Sequence, residues 1–527
     1  MKELGFMIDC SRGQVPRVES LKRYIDILSK FHYTYLMLYT EDIFEMDGHP
    51  YFGHMRGRYS KEELKEIDEY AASKGIELRG CIQTLAHMGR IQRHGPYRDL
   101  YDIDDIFLVK DERVYKLIDD MLSTMSENIK SRTIHIGMDE AWRLGRGRYQ
   151  DLYGATSIQE IMQYHLKRVI EIANKYNYKC YIWGDMLLTS YLQNNLVALP
   201  ENVIPYIWRY YAIGSKETDK EIQTFKKISP NGLAYAGGVE KWRGFAPHNA
   251  YSFASLKEQI TSCHKFGIDN YLVTAWADCA ADASLFSSLP GVFYASVHAR
   301  QLPLNKETKQ EFYDAVGMSF DDFLHIDDMN RFNQPKSRYK QYINDLSFVH
   351  LYNDPLQNLY MEIEGDEYVK YYAKVQKTMQ KLAKNAEFGY IFASLASLAN
   401  LLKYKCNLAK DIYETYKNKG DLTPTILHAK KVLKALNSFV KVYEKQWLKE
   451  AKGMGYEKQN IRLGGLKERL RFVIDLLTSY QNGEISKIDE LEEIQIISNM
   501  CGHPLAPGRD VVCDYRSIVS AGKLNEL

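Results

Sequence analysis

The chain of 527 residues lacks an excess of charge of either sign. Its 69 lysines and arginines are balanced by 68 aspartates and glutamates, which gives a formal net charge of +1 at pH 7. Association with nucleic acid draws on an excess of basic charge that releases counterions, so a nucleic-acid partner is not expected. Long apolar runs are also missing, and without a stretch of about 18 apolar residues no membrane span is predicted.

Cysteine is scarce and widely spread. The eight cysteines stand at positions 10, 81, 180, 263, 279, 406, 501 and 513, and no two have the Cys-x-x-Cys spacing. That spacing is typical of zinc and redox sites, so neither kind of site is indicated. Residues 1–8 include Lys2 and Glu3 and no long apolar core, so a signal peptide is not expected. Together these features predict a reducing, cytoplasmic setting.

Short apolar strands alternate with helical patterns over roughly the first 300 residues. The helices include 18–31 and 60–73, and the second opens with Ser-Lys-Glu-Glu, which fits a capping box. The predicted strands lie at 5–9, 35–39, 76–83, 133–136, 180–183, 203–208, 232–237 and 271–276. Eight such strands predict an α/β fold, a closed parallel (β/α)8 TIM barrel over residues 1–305, and disfavour an open doubly wound sheet.

The composition changes after about residue 300. Proline is absent from 356 to 422, and apolar residues recur at helical spacing. The helical stretches are 368–383, 391–416, 425–446, 463–477 and 488–500. They predict a mostly α-helical C-terminal domain over residues 306–527 that docks on the barrel without a flexible linker. Its many aromatic residues suit a homodimer interface as well as a core.

The most informative stretch is the predicted strand 133–136 together with the residues directly after it. The strand runs into Gly137, and two adjacent carboxylates come next, Asp139 and Glu140. Strand alternation predicts that His135 and Asp139 share the inward face of the barrel, with the apolar residues between them on the outer face. Two carboxylates at the mouth of a strand form a candidate acid/base site.

Polar and aromatic residues collect after the other predicted strands as well. In a barrel these loops meet at one face, which is where active sites are found. Five of the six tryptophans stand at or just beyond strand ends, and indole rings suit the apolar face of a pyranose. The candidate substrate-binding residues are Arg12, His87, Trp183, Trp208, Trp242, Trp276 and Asp278.

Several of these residues have structural alternatives. An Asp-Glu pair by itself is usually a solvated turn, and strand-end tryptophans also serve as core packing. Arg12 could form only an ion pair with Asp9, and His87 could hydrogen-bond a neighbouring carboxylate instead of a substrate. His135 is expected to brace the interior of the barrel instead of binding a metal.

The sequence His135-Ile136-Gly137-Met138-Asp139-Glu140 resembles the His-x-Gly-[Gly/Met]-Asp-Glu signature of family 20 glycoside hydrolases, the β-N-acetylhexosaminidases. The next residues of the chain are similar to the bacterial exo-acting branch that lacks an N-terminal accessory domain. The resemblance covers roughly residues 1–300. It implies a retaining enzyme that removes terminal β-linked GlcNAc or GalNAc from oligosaccharides or glycoconjugates, with no cofactor and no metal.

The resemblance also implies roles for single residues. Glu140 would be the general acid and then the base, while Asp139 would orient the acetamido group as its carbonyl oxygen attacks C1. Adjacent carboxylates cannot easily flank the anomeric carbon from two sides, which suits the substrate assistance of this family. The family also places a tyrosine hydroxyl on the acetamido oxygen, and Tyr210 and Tyr211 are better placed for this than Tyr235.

Two further positions bear on sugar recognition. Trp276-Ala277-Asp278 matches the family's Trp-x-acid motif after the last strand, with Asp in place of the commoner Glu, and implies that Asp278 binds sugar hydroxyls. Many relatives carry an arginine before the glycine of the first strand, where this chain has Leu4. Arg12 is the candidate replacement, and the preference between gluco and galacto sugars stays open.

Other functions stay open on the sequence alone. A transglycosylase or phosphorylase-like relative would share the oxazoline step, and a non-catalytic sugar-binding protein would share the scaffold. The intact pair of Asp139 and Glu140 opposes the second of these. A scaffold protein that works through its helical tail would keep its function after Glu140→Gln.

Overall fold

The computed structural model describes residues 1–187, 199–229, 231–242, 244–278, 282–332, 346–357 and 364–493. The strands are β1 Glu3–Asp9, β2 Tyr35–Tyr39, β3 Glu77–Cys81, β4 Tyr101–Ile103, β5 Ile106–Phe107, β6 Thr133–His135, β7 Lys179–Trp183, β8 Val203–Trp208, β9 Ala234–Gly238 and β10 Asn270–Ala275. Eight of them are parallel and form a closed barrel in the order β1-β10-β9-β8-β7-β6-β3-β2, and β4 and β5 form a separate antiparallel pair. The predicted (β/α)8 barrel is confirmed, with each of the eight predicted strands found within a few residues of its expected bounds.

Alternation along the strands separates two apolar layers. Leu4, Phe6 and Ile8 of β1 pack in the layer between the barrel and its helices, while Met7 of the same strand lies in the interior layer. The interior layer consists of Met7, Tyr35, Met37, Tyr39, Cys81, Tyr181, Trp183, Ile204, Tyr206, Ala234, Ala236 and Leu272. Large side chains therefore fill the barrel, and the space for a ligand lies at its mouth.

Polar groups at the amino end of the barrel interior form a hydrogen-bonded network. The hydroxyls of Tyr35 and Tyr206 lie 2.8 Å from each other, and Oδ1 of Asn270 is an acceptor within 2.8 Å of the first and 3.2 Å of the second. Beside them Arg79 donates to Glu3 at 2.9 Å, and its guanidinium lies 3.9 Å from the ring centroid of Tyr35. These residues stand mostly at the first positions of their strands, so the amino end of the barrel is closed by a bonded network.

Helices cover the outside of the barrel. The helix Lys61–Ser73 begins at the predicted capping box, in which Ser60 Oγ accepts from the backbone of Glu63 at 3.1 Å and Glu63 accepts from the backbone of Ser60 at 2.9 Å. The α-helices up to residue 316 are Val18–Lys30, Lys61–Ser73, Gly89–Gln92, Glu112–Asn128, Arg148–Tyr153, Ile158–Lys175, Ser215–Lys226, Asn249–Phe266, Leu289–Ala299 and Lys306–Val316. Short 3-10 helices are Arg98–Leu100 and Leu285–Ser288.

The described residues after 316 are helical, as predicted. The α-helices are Phe320–Leu324, Leu346–Tyr352, Asp366–Leu382, Gly389–Lys405, Leu408–Lys417, Thr423–Glu450, Glu457–Gln481 and Asp489–Glu492, with a 3-10 helix at His325–Met329. The single helix predicted over 391–416 is two helices, which separate at Cys406 and Asn407. The predicted helix 488–500 is described only as far as Glu493.

The first helix after residue 305 packs directly on the barrel. Phe312 packs on Phe31 and Phe293 of the barrel, at 5.7 and 5.4 Å between ring centroids, so the domain boundary at residue 305 stays a prediction. Of the helices described, none is both long and apolar enough to cross a bilayer.

Candidate active site

The two candidate carboxylates lie on a turn and not on the strand itself. β6 ends at His135, and the backbone is left-handed at Gly137 (φ 72°), Met138 (φ 71°) and Glu140 (φ 54°). A Cβ on Gly137 would stand 2.0 Å from Oε1 of Gln83, so only glycine fits there. Strand alternation was therefore the wrong reason for the placement of Asp139, whose orientation depends on contacts with other loops.

Asp139 is buried and held from two sides. His87 Nε2 lies 3.2 Å from its Oδ2, and Gln83 Nε2 donates to its Oδ1 at 2.7 Å. Burial by itself would raise the pKa of the carboxyl, but the charge and hydrogen bond of His87 and the hydrogen bond of Gln83 keep that pKa below its ordinary value. Burial opposes the charged form of His87, yet Asp139 raises the pKa of that imidazole to about 9. The pair is therefore ionised at neutral pH.

Glu140 is more exposed than Asp139, and its pKa moves in the other direction. Its side chain is half exposed, and its Oε2 lies 3.7 Å from His87 Nε2. Its backbone N–H donates to Asp185 Oδ2 at 2.8 Å, which fixes the turn. Partial burial and the charge of Asp139 raise the pKa of Glu140 above its usual range. Two adjacent carboxylates thus have pKa values moved in opposite directions, which is the arrangement that separates an acid from a permanent anion.

Aromatic rings surround the space next to these carboxylates. Tyr210 is the common neighbour: its ring centroid lies 5.3 Å from Trp208, 5.5 Å from Trp242 and 6.4 Å from Trp276. Trp208 also donates from Nε1 to Asp185 Oδ1 at 3.1 Å. We call these four residues, Tyr210 and the three tryptophans, the aromatic cage. These residues stand at or after three different strands, β8, β9 and β10, and the structure brings their rings together.

The other candidate tyrosines lie elsewhere. Tyr211 is 47% exposed, and its hydroxyl accepts from Arg209 at 3.0 Å. Tyr235 points outward from β9, where its hydroxyl donates to Glu221 at 3.2 Å and its ring stacks on Tyr271. Tyr210 is thus the tyrosine that joins the cage.

Trp183 has a different position from the one predicted. Its side chain lies inside the barrel with 1% of its surface exposed, 4.2 Å from the ring of His135 and 6.0 Å from that of Trp276 between centroids. A ring so covered supports the cage from beneath instead of forming its wall. His135 also belongs to this layer, where burial lowers its pKa to about 3 and its Nδ1 accepts from the backbone of Gly137 at 3.0 Å.

A second charged group lies on the β1 side of the site. Arg12 places Nε 3.7 Å from Asp9 Oδ2 and an Nη 3.6 Å from Glu41 Oε1. Glu41 is buried, accepts from the Tyr39 hydroxyl at 3.1 Å, and has a lowered pKa because cationic neighbours, Arg12 first, outweigh its burial. Asp278 is exposed, and its charge adds to the raised pKa of Glu140.

Leu4 does not stand at the site. It is the second residue of β1 and packs in the outer apolar layer, at the amino end of the barrel, whereas the site lies beyond the carboxyl ends of the strands. The comparison of Leu4 with the arginine of relatives therefore says nothing about the sugar contacts of this chain. Sequence reasoning also missed Gln83 and Glu41, and their only signal is that they closely follow β3 and β2.

Metal binding is the remaining question about this cluster. Ligand atoms of His87, Asp139 and Glu140 lie within 4.8 Å of one another, which is close enough for one ion. A histidine binds a metal through a neutral nitrogen, however, and the pKa of His87 is raised to about 9. The ion pair with Asp139 accounts for the same atoms, so we expect no metal here.

Two family models match this chain. Residues 4–266 match the model of the glycosyl hydrolase family 20 catalytic domain, and residues 321–503 match that of the Glycoside Hydrolase 20C C-terminal domain. Hexosaminidase D of Homo sapiens is 24% identical over 212 residues, which cover 38% of this chain and 43% of the human protein. This chain thus spans less than half of that relative.

Two solved structures are similar in fold. The chitobiase of Flavobacterium johnsoniae has a TM-score of 0.48 and 14% identity, and the match covers 84% of this chain and 77% of that one. The β-N-acetylhexosaminidase of Bacteroides fragilis has a TM-score of 0.46 and 19% identity, with 60% and 69% of the two chains covered.

The His87–Asp139 ion pair predicts an unusual histidine titration. We expect the imidazole of His87 to titrate near pH 9, and to fall below the ordinary value of about 6.5 in Asp139→Asn, because burial then acts without the compensating charge. NMR of Cε1-labelled histidine measures this, with His87→Asn for assignment. Glu140→Gln is the matched control and is expected to move the midpoint less. A wild-type midpoint near 6.5 would contradict the ion pair.

The same ion pair predicts independence from metal. Dialysis against a chelator is expected to leave the thermal unfolding midpoint and the pH titration of His87 unchanged, because the proton on His87 Nε2 takes the place that a metal would have between His87 and Asp139. A drop in the midpoint that added Zn²⁺ restores, and that is absent in His87→Asn, would show a metal site instead.

Proposed function

This chain belongs to glycosyl hydrolase family 20, and we propose that it is an exo-acting, retaining β-N-acetylhexosaminidase that removes terminal non-reducing GlcNAc or GalNAc. The observation that carries the proposal is the pair Asp139 and Glu140, whose pKa values move in opposite directions beside the aromatic cage. One group is then a permanent anion and its neighbour a proton donor. The substrate is an oligosaccharide or glycoconjugate with a terminal β-linked N-acetylhexosamine.

The proposed reaction uses the acetamido group of the substrate as the nucleophile. Glu140 gives its proton to the leaving glycosidic oxygen while the acetamido carbonyl oxygen forms a bond to C1, which yields an oxazolinium ion and the free alcohol. Asp139 holds the acetamido N–H and stabilises the positive charge on its nitrogen. Glu140, now a carboxylate, takes a proton from the water that attacks C1. The bond between C1 and the acetamido oxygen breaks, which restores the acetamide, and two inversions give net retention.

Several contacts support these roles. Asp139 cannot turn away because Gln83 and His87 bind its two oxygens. The half-exposed side chain of Glu140 is open to an arriving aglycone. Tyr210 lies between three indoles, so its hydroxyl is the candidate partner of the acetamido oxygen. No covalent bond to the protein is needed.

We assign recognition of the sugar hydroxyls to two charged residues whose charges act on Glu140. Arg12, steadied by Asp9 and Glu41, is one candidate, and Asp278 is the other. The rings of Trp208, Trp242 and Trp276 offer apolar faces for the pyranose and the acetyl methyl. These assignments do not favour gluco over galacto sugars.

The state of the cysteines supports a cytoplasmic location, and the composition of the C-terminal helices supports a homodimer. The five cysteines in the part of the chain that the structure describes are all free and buried, which suits a reducing cytoplasm. A homodimer stays a prediction based on the aromatic content of the C-terminal helices.

Glu140→Gln tests the acid. We expect kcat to fall by about 10²–10⁴-fold for substrates with a poor leaving group, since the leaving oxygen no longer receives a proton. A series of aryl N-acetyl-β-glucosaminides of decreasing leaving-group pKa is the internal control, and the loss should shrink along it. An equal loss for every leaving group would mean that Glu140 is not the acid, and full activity would favour a scaffold function.

A paired substrate panel tests the assistance of the acetamido group. Hydrolysis of aryl N-acetyl-β-glucosaminide and N-acetyl-β-galactosaminide is compared with that of the plain β-glucoside and β-galactoside, in wild type and in Asp139→Asn. We expect turnover of the N-acetyl pair alone, and a large loss in the variant because the acetamido nitrogen loses its anion. Cleavage of the plain sugars would overturn the role of Asp139, and absence of all cleavage would favour a binding protein.

A further inference from the structure

The C-terminal helices contact the loop that carries Arg12. This loop, residues 10–17, joins β1 to the first helix, and residues 450–458 of the C-terminal region run along it. The backbone of Arg17 donates to Glu450 O at 3.0 Å, and the backbone of Lys452 donates to Val15 O at 2.8 Å. Lys458, buried at the start of the helix Glu457–Gln481, donates from Nζ to Arg12 O at 2.8 Å.

The two segments touch without intervening side chains. A Cβ on Gly455 would lie 1.8 Å from Gly13 O, and both glycines have left-handed backbones, with φ of 101° and 113°. A Cβ on Gly13 in turn would meet the Nζ and Cε of Lys458 at 3.4 and 3.5 Å. The aliphatic stem of this lysine therefore also packs against the loop.

The same stretch holds the loop after β10. Asp282 is buried, and Gln459 Nε2 donates to its Oδ1 at 2.8 Å while Arg462 lies 3.3 Å away. The carboxylate of Glu450 accepts from Ser284 Oγ at 2.6 Å and from a neighbouring backbone N–H at 2.7 Å. Residues 450–462 of the C-terminal region therefore contact both the loop that carries Arg12 and residues 282–285, which follow β10.

The two loops are also joined to each other inside the site. The backbone N–H of Ala277 donates to Asp9 Oδ2 at 3.1 Å, and the same oxygen lies 3.7 Å from Arg12 Nε. Gln14 Nε2 donates to Ala283 O at 3.3 Å. A shift of the Arg12 backbone would therefore alter the geometry of a guanidinium that stands between Asp9 and Glu41.

We infer that the C-terminal helical region positions Arg12 for sugar binding, and that Lys458 is the positioning residue that acts through the Arg12 backbone. The inference rests on the proposed function. Misplacing a substrate-binding group by about 1 Å reduces the rate or affinity strongly, and Lys458 fixes the one carbonyl that belongs to Arg12 itself. A merely structural contact would stabilise the docking of the helices without affecting substrate affinity.

The experiment removes the ammonium of Lys458 and keeps its stem. In Lys458→Met we expect KM for aryl N-acetyl-β-glucosaminide to rise about fivefold, which corresponds to roughly 1 kcal/mol of binding free energy, with a much smaller change in kcat. Lys458→Gln is the second variant should the first unfold, and Lys458→Arg, which keeps a charged donor, should restore KM toward wild type.

Lys452→Met is the matched control. Lys452 lies in the same segment, and its Nζ donates to Arg58 O at 3.0 Å and to Glu63 at 2.6 Å, so it docks the region on the barrel away from Arg12. We expect a similar drop in the thermal midpoint with an unchanged KM. An equal rise of KM in both variants would make the effect one of docking and overturn the inference.

A double-mutant cycle decides whether Lys458 acts through Arg12. In an Arg12→Ala background the further change Lys458→Met should leave KM unchanged, because no guanidinium remains to be positioned. A full additional rise of KM, or failure of both Lys458 variants to fold, would overturn the inference. An inactive wild type would instead contradict the proposed function, so the two failures are distinguishable.

Discussion

A carboxylate that is removed from water needs a compensating charge, and at Asp139 that charge is His87. The ion pair keeps Asp139 ionised in spite of its burial. Burial and this fixed negative charge together raise the pKa of Glu140, and the same two causes raise that of Asp185 to about 6. The lowered pKa of Asp139 therefore depends on a residue from another loop. Without the imidazole, burial would favour the protonated form of Asp139 and the distinction would shrink.

The packing of the barrel decides where this pair can operate. Tyrosine and methionine side chains fill the interior, and a network of hydroxyls around Asn270 closes the amino end. Trp183 and His135 complete the filled layer directly beneath the site. A ligand is consequently confined to the mouth of the barrel, where the aromatic cage and the carboxylates meet. The C-terminal helices add a further constraint, because they hold the backbone of Arg12 from outside the barrel.

Much of the fold could be predicted from the sequence because strand and helix periodicity are local properties. The short apolar runs at β2 and β8 and the capping box at Ser60 were predicted at their observed places. The break at Cys406 was missed, because the lysines of the last turn and Asn407 are helix-end signals that the continuous apolar spacing obscured. Of the candidate site, Asp139 and Glu140 were found from their place directly after a predicted strand, and the resemblance then implied their roles. Gln83 and Glu41 belong to no motif and were missed.

The sequence by itself determined the barrel, the helical C-terminal region and the identity of the two carboxylates, because each depends on residues that are close together in the chain. Only the tertiary structure decided that Trp183 is covered, that Tyr210 is the tyrosine of the cage and that Leu4 lies far from the site. It also decided that Asp139 is oriented by Gln83 and His87, on loops some 50 residues earlier, and not by strand alternation. The physical reason is that burial, charge compensation and side-chain direction depend on neighbours that only the folded chain brings together.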